Sequence, residues 1–133
     1  MVVLDASVVL AHLLPDEDGE RAESAMTAAL AGEPVAPALL PFEVANTLQM
    51  RVRRGGLAAD LRDDLLAHFL GLDIGLGPAG DLEEVVALAD RHRLTAYDAA
   101  YLELAVRLGA PLATLDTELR RAGRIEGLEV WPQ

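Results

Sequence analysis

The sequence predicts an α/β fold, a parallel sheet of about five strands with helices on both faces. Three observations carry that prediction. Short apolar runs alternate with amphipathic segments along all 133 residues, as when strands return to one sheet through helices. The runs are continuous rather than alternating with polar residues, which is the pattern of strands buried on both faces. Gly and Pro stand at the boundaries between the two kinds of segment, where breakers belong.

Taken in order, residues 1–4 form an apolar strand closed by Asp5. Asp5-Ala6-Ser7 leads into a short helix at 8–14, ended by Pro15. The polar tract 16–20 starts a second helix to about residue 31. Ala22, Ala25, Met26 and Ala29 are its inward stripe and Gly32 its cap. Val35-Ala36 is a strand between Pro34 and Pro37. Pro41 suits a first helical position, because it lacks only a donor that would go unpaired there, and this helix runs to Arg54 before Gly55-Gly56. Residues 57–70 form another amphipathic helix with Leu61, Leu65, Leu66 and Phe69 inward, and 72–76 a third strand. Asp81 with Glu84 has the form of a capping box for a helix to about Arg93. A helix opened by Asp98 stops at Gly109-Ala110-Pro111, and a strand at 112–115 ends on Asp116. A helix at 117–122 and a strand at 128–131 finish the chain. With no repeat or internal linker, 1–133 reads as a single domain.

Composition narrows the function. A chain of this size buries roughly two-thirds of its unfolded surface. Its hydrophobic fraction of 52% argues against disorder despite a formal charge of −11. There is no cysteine, so disulfides and thiolate metal sites are excluded. All eleven basic residues are arginine, which excludes lysine Schiff bases and Walker-type phosphate loops. The acidic balance argues against nonspecific binding to duplex nucleic acid. No apolar stretch approaches about twenty residues and no charged leader precedes an apolar core, so a soluble, cytoplasmic chain without membrane contact is expected.

Four acids stand apart from the solvated runs at 16–18, 63–64 and 83–84. Asp5 follows three apolar residues, Asp116 follows Ala113-Thr114-Leu115, Asp98 lies within Ala96-Tyr97-Asp98-Ala99-Ala100-Tyr101, and Glu43 sits in a first helical turn. Carboxylates beside so much apolar surface are costly unless something cationic meets them. In a doubly wound sheet the crevice lies at the carboxyl ends of the strands. Asp5 and Asp116 are placed at strand ends, and Glu43 and Asp98 at helix N-termini on the same rim, so the four are expected to converge. Each also has a structural reading: Asp5, Asp98 and Asp116 as helix N-caps, Glu43 as a favourable charge at a positive helix end. His12, His68 and His92 lack metal-ligand spacing. Tyr97 and Tyr101 read as packing residues. Glu43, Asn46, Thr47 and Met50 share one helical face.

An apolar strand ending in Asp5-Ala6-Ser7, a helical Glu43-x-x-Asn46, the run from Thr95 to Tyr101 and Ala113-Thr114-Leu115-Asp116 together resemble the PIN-domain nucleases. Within these the match is to the VapC toxins of bacterial toxin–antitoxin pairs. The resemblance covers nearly the whole chain, and four motifs in order are specific where any one is weak. It implies a PIN-like parallel sheet, an endoribonuclease dependent on Mg²⁺ or Mn²⁺, a small antitoxin partner and a homodimer. It makes Asp5, Glu43, Asp98 and Asp116 the catalytic and metal-holding set, with Ser7 and Thr114 as supporting hydroxyls and Asn46 beside Glu43. Without lysine, the RNA backbone is left to Arg51, Arg53, Arg54, Arg91, Arg93, Arg120 and Arg121.

The chemistry agrees. Phosphodiester cleavage needs an activated water and neutralised charge at phosphorus. Hard oxygen donors suit Mg²⁺, which is held directly by one or two carboxylates. Asp5 and Asp98 are expected as the direct ligands, with Glu43 and Asp116 positioning water or a second ion. The amphipathic helices at 17–31 and 40–70 carry apolar surface to spare, which an antitoxin segment would cover, one of its arginines reaching the acids. Two rival classes remain: a PIN-fold binding module that has lost catalysis, and a phospho-acceptor signalling domain. The latter would want a lysine near the last strands.

Overall fold

The computed structural model describes residues 1–14 and 19–133. Among them, five strands alternate with seven helices: β1 (Val2–Leu4), α1 (Ala6–Leu13), α2 (Gly19–Ala31), β2 (Pro34–Pro37), α3 (Leu40–Arg53), α4 (Ala59–Gly71), β3 (Gly75–Gly77), α5 (Leu82–His92), α6 (Ala96–Leu108), β4 (Leu112–Ala113), α7 (Thr117–Ile125) and β5 (Val130–Trp131). All strand pairs are parallel, in the order β3-β2-β1-β4-β5. The chain builds from β1 outward through β2 to β3, then crosses back to place β4 and β5 on the other side of β1. Such a reversal opens a crevice beyond the carboxyl ends of the two central strands, here β1 and β4. The sheet is the parallel α/β sheet that the sequence predicts.

Burial follows from this order. Val2, Val3 and Leu4 of β1 and Leu112 and Ala113 of β4 are almost wholly enclosed, as continuous apolar strands must be. Both α2 and α6 lie across β1, β2 and β4, one helix on each face of the sheet. The predicted stripe Ala22, Ala25, Met26 and Ala29 is buried, and its small side chains let α2 approach closely. On α6 the buried set includes Ala99, Tyr101, Leu102, Leu104 and Ala105. Gly77 makes room for that helix, since a Cβ there would stand 3.0 Å from a Leu104 methyl. Gly109 takes the left-handed conformation that ends α6, with φ of +61°.

A polar relay ties three helices together. His12 Nδ1 of α1 lies 2.6 Å from a Glu23 carboxylate oxygen of α2, and His12 Nε2 lies 3.0 Å from His68 Nε2 of α4. A carboxylate only accepts, so Nδ1 of His12 carries a proton. The two Nε2 atoms share one proton, carried by either ring.

Several boundaries move, each for a local reason. Helix α1 starts at Ala6, earlier than residue 8, because Asp5 caps it. The stop at Pro15 and the solvated acids at 16–18 lie outside the described residues. On α4, Leu61 is exposed at 49% rather than inward, Leu65 and Leu66 are half-buried, and Phe69 alone is buried. Strand β3 covers 75–77 instead of 72–76. Leu72 still closes the last turn of α4 and Asp73 turns with φ of +58°, so extended backbone begins only afterwards. Asp81 caps α5 through the Glu83 N–H at 2.9 Å. Helix α7 runs on to Ile125, beyond the expected 122. Among the described residues no helix is long and apolar enough to cross a membrane.

Candidate active site

Asp5 leaves β1 at its carboxyl end and begins α1. Its Oδ2 accepts from the Ser7 hydroxyl at 2.6 Å, the Thr114 hydroxyl at 2.8 Å and the Ser7 amide at 3.3 Å. Three donors to one oxygen fix the side chain. No described residue donates to Oδ1, yet no buried polar atom lacks a partner, so Oδ1 retains some contact with solvent. The residue as a whole is 5% exposed. Burial pushes its pKa above the usual range and the neighbouring Asp98 charge adds to this, against the lowering effect of the Ser7 and Thr114 hydrogen bonds.

The two hydroxyls come from opposite ends of the sequence because β1 and β4 are neighbours. Ser7 Oγ also accepts from the Leu115 amide at 2.9 Å, and Thr114 Oγ1 from the Asp116 amide at 3.1 Å. Each hydroxyl has one proton and gives it to Asp5. The 3.2 Å approach of the two oxygens is therefore a contact within a shared acceptor cage.

Glu43 stands in the first turn of α3, half-buried, and accepts from the Tyr101 hydroxyl at 2.6 Å. Burial raises its pKa, the tyrosine hydrogen bond works against that, and the charges of Asp5 and Asp98 add to the rise. Tyr101 is fully buried, and its own ionisation is pushed far up by burial and by Glu43. It is thus a permanent donor that holds Glu43 in place. Reading Tyr101 as a packing residue missed this; the available signal was its position three residues after Asp98, one turn along the same helix. Tyr101 does pack in the core as expected, whereas Tyr97 departs, being 68% exposed instead of packed.

Asp98 does not cap α6. Thr95 does, accepting from the Asp98 amide at 3.1 Å, so the Asp98 carboxylate is not spent on capping its own helix. Burial raises its pKa first, and the charge of Asp116 second, with Thr95 lowering it. Asp116 is the N-cap of α7 and accepts from the Leu119 amide at 2.8 Å through Oδ1, while staying exposed. Asp98 therefore interacts with each of the other three acids, and Glu43 also feels Asp5. Even so, among the described residues no group of three or more His, Asp or Glu side chains is drawn together closely enough to enclose a metal ion unaided. What the site offers is hard carboxylate oxygen, held by hydroxyls and partly desolvated. This donor set fits an ion such as Mg²⁺, which takes one or two carboxylates and keeps water for the rest.

The arginines divide. Arg51 lines a cleft of about 290 Å³ with Ser7, Thr47 and Asp116, beside the acids. Arg53 and Arg54 are exposed at the end of α3, and exposed Arg93 turns the chain from α5 toward Thr95. Arg91 pairs with Glu126 at 3.0 Å, and Arg121 with Glu118 at 2.8 Å. Arg120 requires a correction as an RNA candidate. It is buried, and its guanidinium donates to the carbonyls of Thr114 at 2.8 Å, Trp131 at 3.1 Å and Pro132. It fastens the C-terminal strand to the loop that carries Thr114. Asn46 is exposed on the Glu43 side of α3.

The sequence pattern of the PIN domain matches residues 2–125. Ribonuclease VapC3 of Pyrobaculum aerophilum is 38% identical over 122 residues, covering 89% of this chain and 91% of that protein. The solved structure of PAE2754 from Pyrobaculum aerophilum superposes with a TM-score of 0.75 at 23% identity, over 97% of this chain and 89% of that one. FitAcB from Neisseria gonorrhoeae gives 0.69 at 18% identity, over 98% and 96%. The structural likeness speaks for the fold, and the pattern match and the 38% identity speak for kinship. On these grounds the chain belongs to the PIN-domain family.

Proposed function

We propose that this protein is a metal-dependent endoribonuclease that hydrolyses phosphodiesters of single-stranded RNA, and that it is the toxin of a toxin–antitoxin pair. The observation that carries the reading is the position of Asp98, relieved of capping by Thr95 and electrostatically linked to Asp5, Glu43 and Asp116 at the switch point of the sheet. Kinship with a protein named as a ribonuclease supports the choice of substrate.

Asp5, through Oδ1, and Asp98 are the carboxylates suited to hold Mg²⁺ or Mn²⁺ directly. When bound, such an ion supplies charge neutralisation at phosphorus and a lowered pKa for water. The chain's own residues do the rest. Ser7 and Thr114 lock Asp5 through Oδ2, which leaves Oδ1 as its one oxygen without a protein donor. Glu43, fixed at Oε1 by Tyr101, has its other oxygen to orient a water and take its proton, and a raised pKa brings it nearer that task. Asp116 uses one oxygen for its helix and has the other for orienting water. Arg51 lies where a phosphate flanking the scissile bond would pass.

The acid-rich site also suits an antitoxin arginine, whose bidentate pairing with a carboxylate competes with metal for the same oxygens. We place the antitoxin over α2, α3 and α4, and take the working assembly to be a homodimer in the cytoplasm. Purified protein free of any partner should cut single-stranded RNA with Mg²⁺ or Mn²⁺ and stop on addition of EDTA. Asp5→Asn and Asp98→Asn should each slow cleavage by about a hundredfold or more, the scale of losing several kcal/mol of charge stabilisation. Cleavage that survives EDTA, or is undiminished in both variants, would refute the reading.

A further inference from the structure

Beside the carboxylates lies a second cleft, of about 380 Å³, lined by Leu39, Phe42, Glu43, Asn46 and Tyr97. Phe42 is 77% exposed and Tyr97 is 68% exposed. The other aromatic residues, Phe69, Tyr101 and Trp131, are buried or half-buried. The two aromatic side chains that the fold leaves in solvent thus line one cleft, and that cleft also contains Glu43 of the acidic set. Leaving two aromatic rings in water forgoes the burial that usually stabilises them. The feature is not accounted for by the core.

We propose that this cleft is a nucleobase subsite: an unpaired base next to the scissile phosphate stacks against Phe42 and Tyr97, and the Asn46 amide reads its edge. This rests on the ribonuclease reading and deepens it. Three arguments favour a base as the occupant. First, a chain of charge −11 has little general attraction for phosphate beyond Arg51 and a bound metal ion, so contacts that do not depend on charge add affinity for RNA that the surface lacks. Stacking of unpaired bases on aromatic rings is such a contact. Second, the cleft is polar where a base is polar. Asn46 offers both a donor and an acceptor, the pairing an amide makes with an adenine edge, and makes no hydrogen bond among the described residues. Third, a second copy of the chain packed over the cleft would enclose the Glu43 carboxylate, which among the described residues has only the Tyr101 hydroxyl to meet it. A base brings exocyclic N–H groups to the same place.

The subsite would decide which sequence is cut, because the cleft adjoins Glu43 while the phosphate is held at Asp5 and Asp98. The test uses short single-stranded RNAs carrying 2-aminopurine at each position in turn, bound to Asp5→Asn protein with Mg²⁺. One position should show fluorescence quenching, and Phe42→Ala or Tyr97→Ala should abolish it. In the otherwise wild-type enzyme the same substitutions should raise KM between about 5- and 150-fold with little change in kcat, the scale of one lost stack. Phe42→Tyr and Tyr97→Phe should restore wild-type KM, and Asn46→Ala should relax base preference at the quenched position. Unaltered KM and base preference in both alanine variants, with wild-type protein cutting normally, would overturn the subsite and leave the ribonuclease reading standing. Loss of a dimer in those variants by light scattering, with quenching intact, would overturn it too and assign the surface to a second copy. Wild-type protein that cuts no RNA would instead defeat the underlying function.

Discussion

Asp98 and Asp116 illustrate how two acids at helix starts acquire different work. Asp116 gives one oxygen to the Leu119 amide and caps α7, whereas the amide of Asp98 is served by Thr95. Both readings offered by the sequence, cap or site, were open for each. The choice depends on a hydroxyl three residues upstream of Asp98, and the chain Thr95-x-x-Asp98 was there to be read. Opposite outcomes are expected in thermal melts without metal. Asp98→Asn should raise stability, because it removes a partly desolvated charge repelled by Asp116 and costs no cap. Asp116→Ala should lower stability by about 1 kcal/mol, the usual cost of a lost N-cap. If Asp98→Asn is the destabilising one, the assignment of the cap to Thr95 is wrong.

At the scale of elements, the sequence declared strands and helices where their patterns were local and was silent where they were not. The stripe on α2 and the left-handed stop at Gly109 could be read from spacing and residue type alone. The length of β3 could not, because it depends on how far α4 continues through Leu72 and on the turn at Asp73. The pairing of Ser7 with Thr114 around Asp5 required knowing that β1 and β4 are neighbours, which no local pattern states. Arg120 belongs to the same class. Its spacing on α7 gave no sign that it would turn inward to three carbonyls of the last two strand ends. Arg120→Met should preserve packing but leave those carbonyls unserved, lowering stability by roughly 2 kcal/mol or more in urea titration, as for lost hydrogen bonds to a charged group. A silent substitution would mean water replaces the guanidinium without loss.

For the whole molecule, the raised carboxyls of Asp5, Glu43 and Asp98 oppose the lowered one of Glu126. An acid whose folded pKa is raised favours folding most below its unfolded value, and that advantage is lost as pH climbs through the folded pKa. Glu126 is held down chiefly by the hydrogen bond from His92 and also by Arg91, so it stabilises above its unfolded value and loses that contribution as pH falls through its folded one. Three groups against one predict that metal-free protein gains stability on mild acidification from neutral pH, and then loses it at lower pH. Thermal melts across that range check the sign. Mg²⁺ at about a hundredfold its dissociation constant should add about 2.7 kcal/mol at neutral pH. Both responses should shrink together in Asp98→Asn.

Asp5 and Asp116 hold their helices through a carboxylate oxygen that an asparagine amide also possesses. One base change in either codon converts Asp to Asn, so on the proposed reading a single step can silence catalysis while both helix caps are kept. On the proposed reading, the silenced chain keeps the surface that its antitoxin grips. It would then act as a decoy, drawing antitoxin away from any active copy.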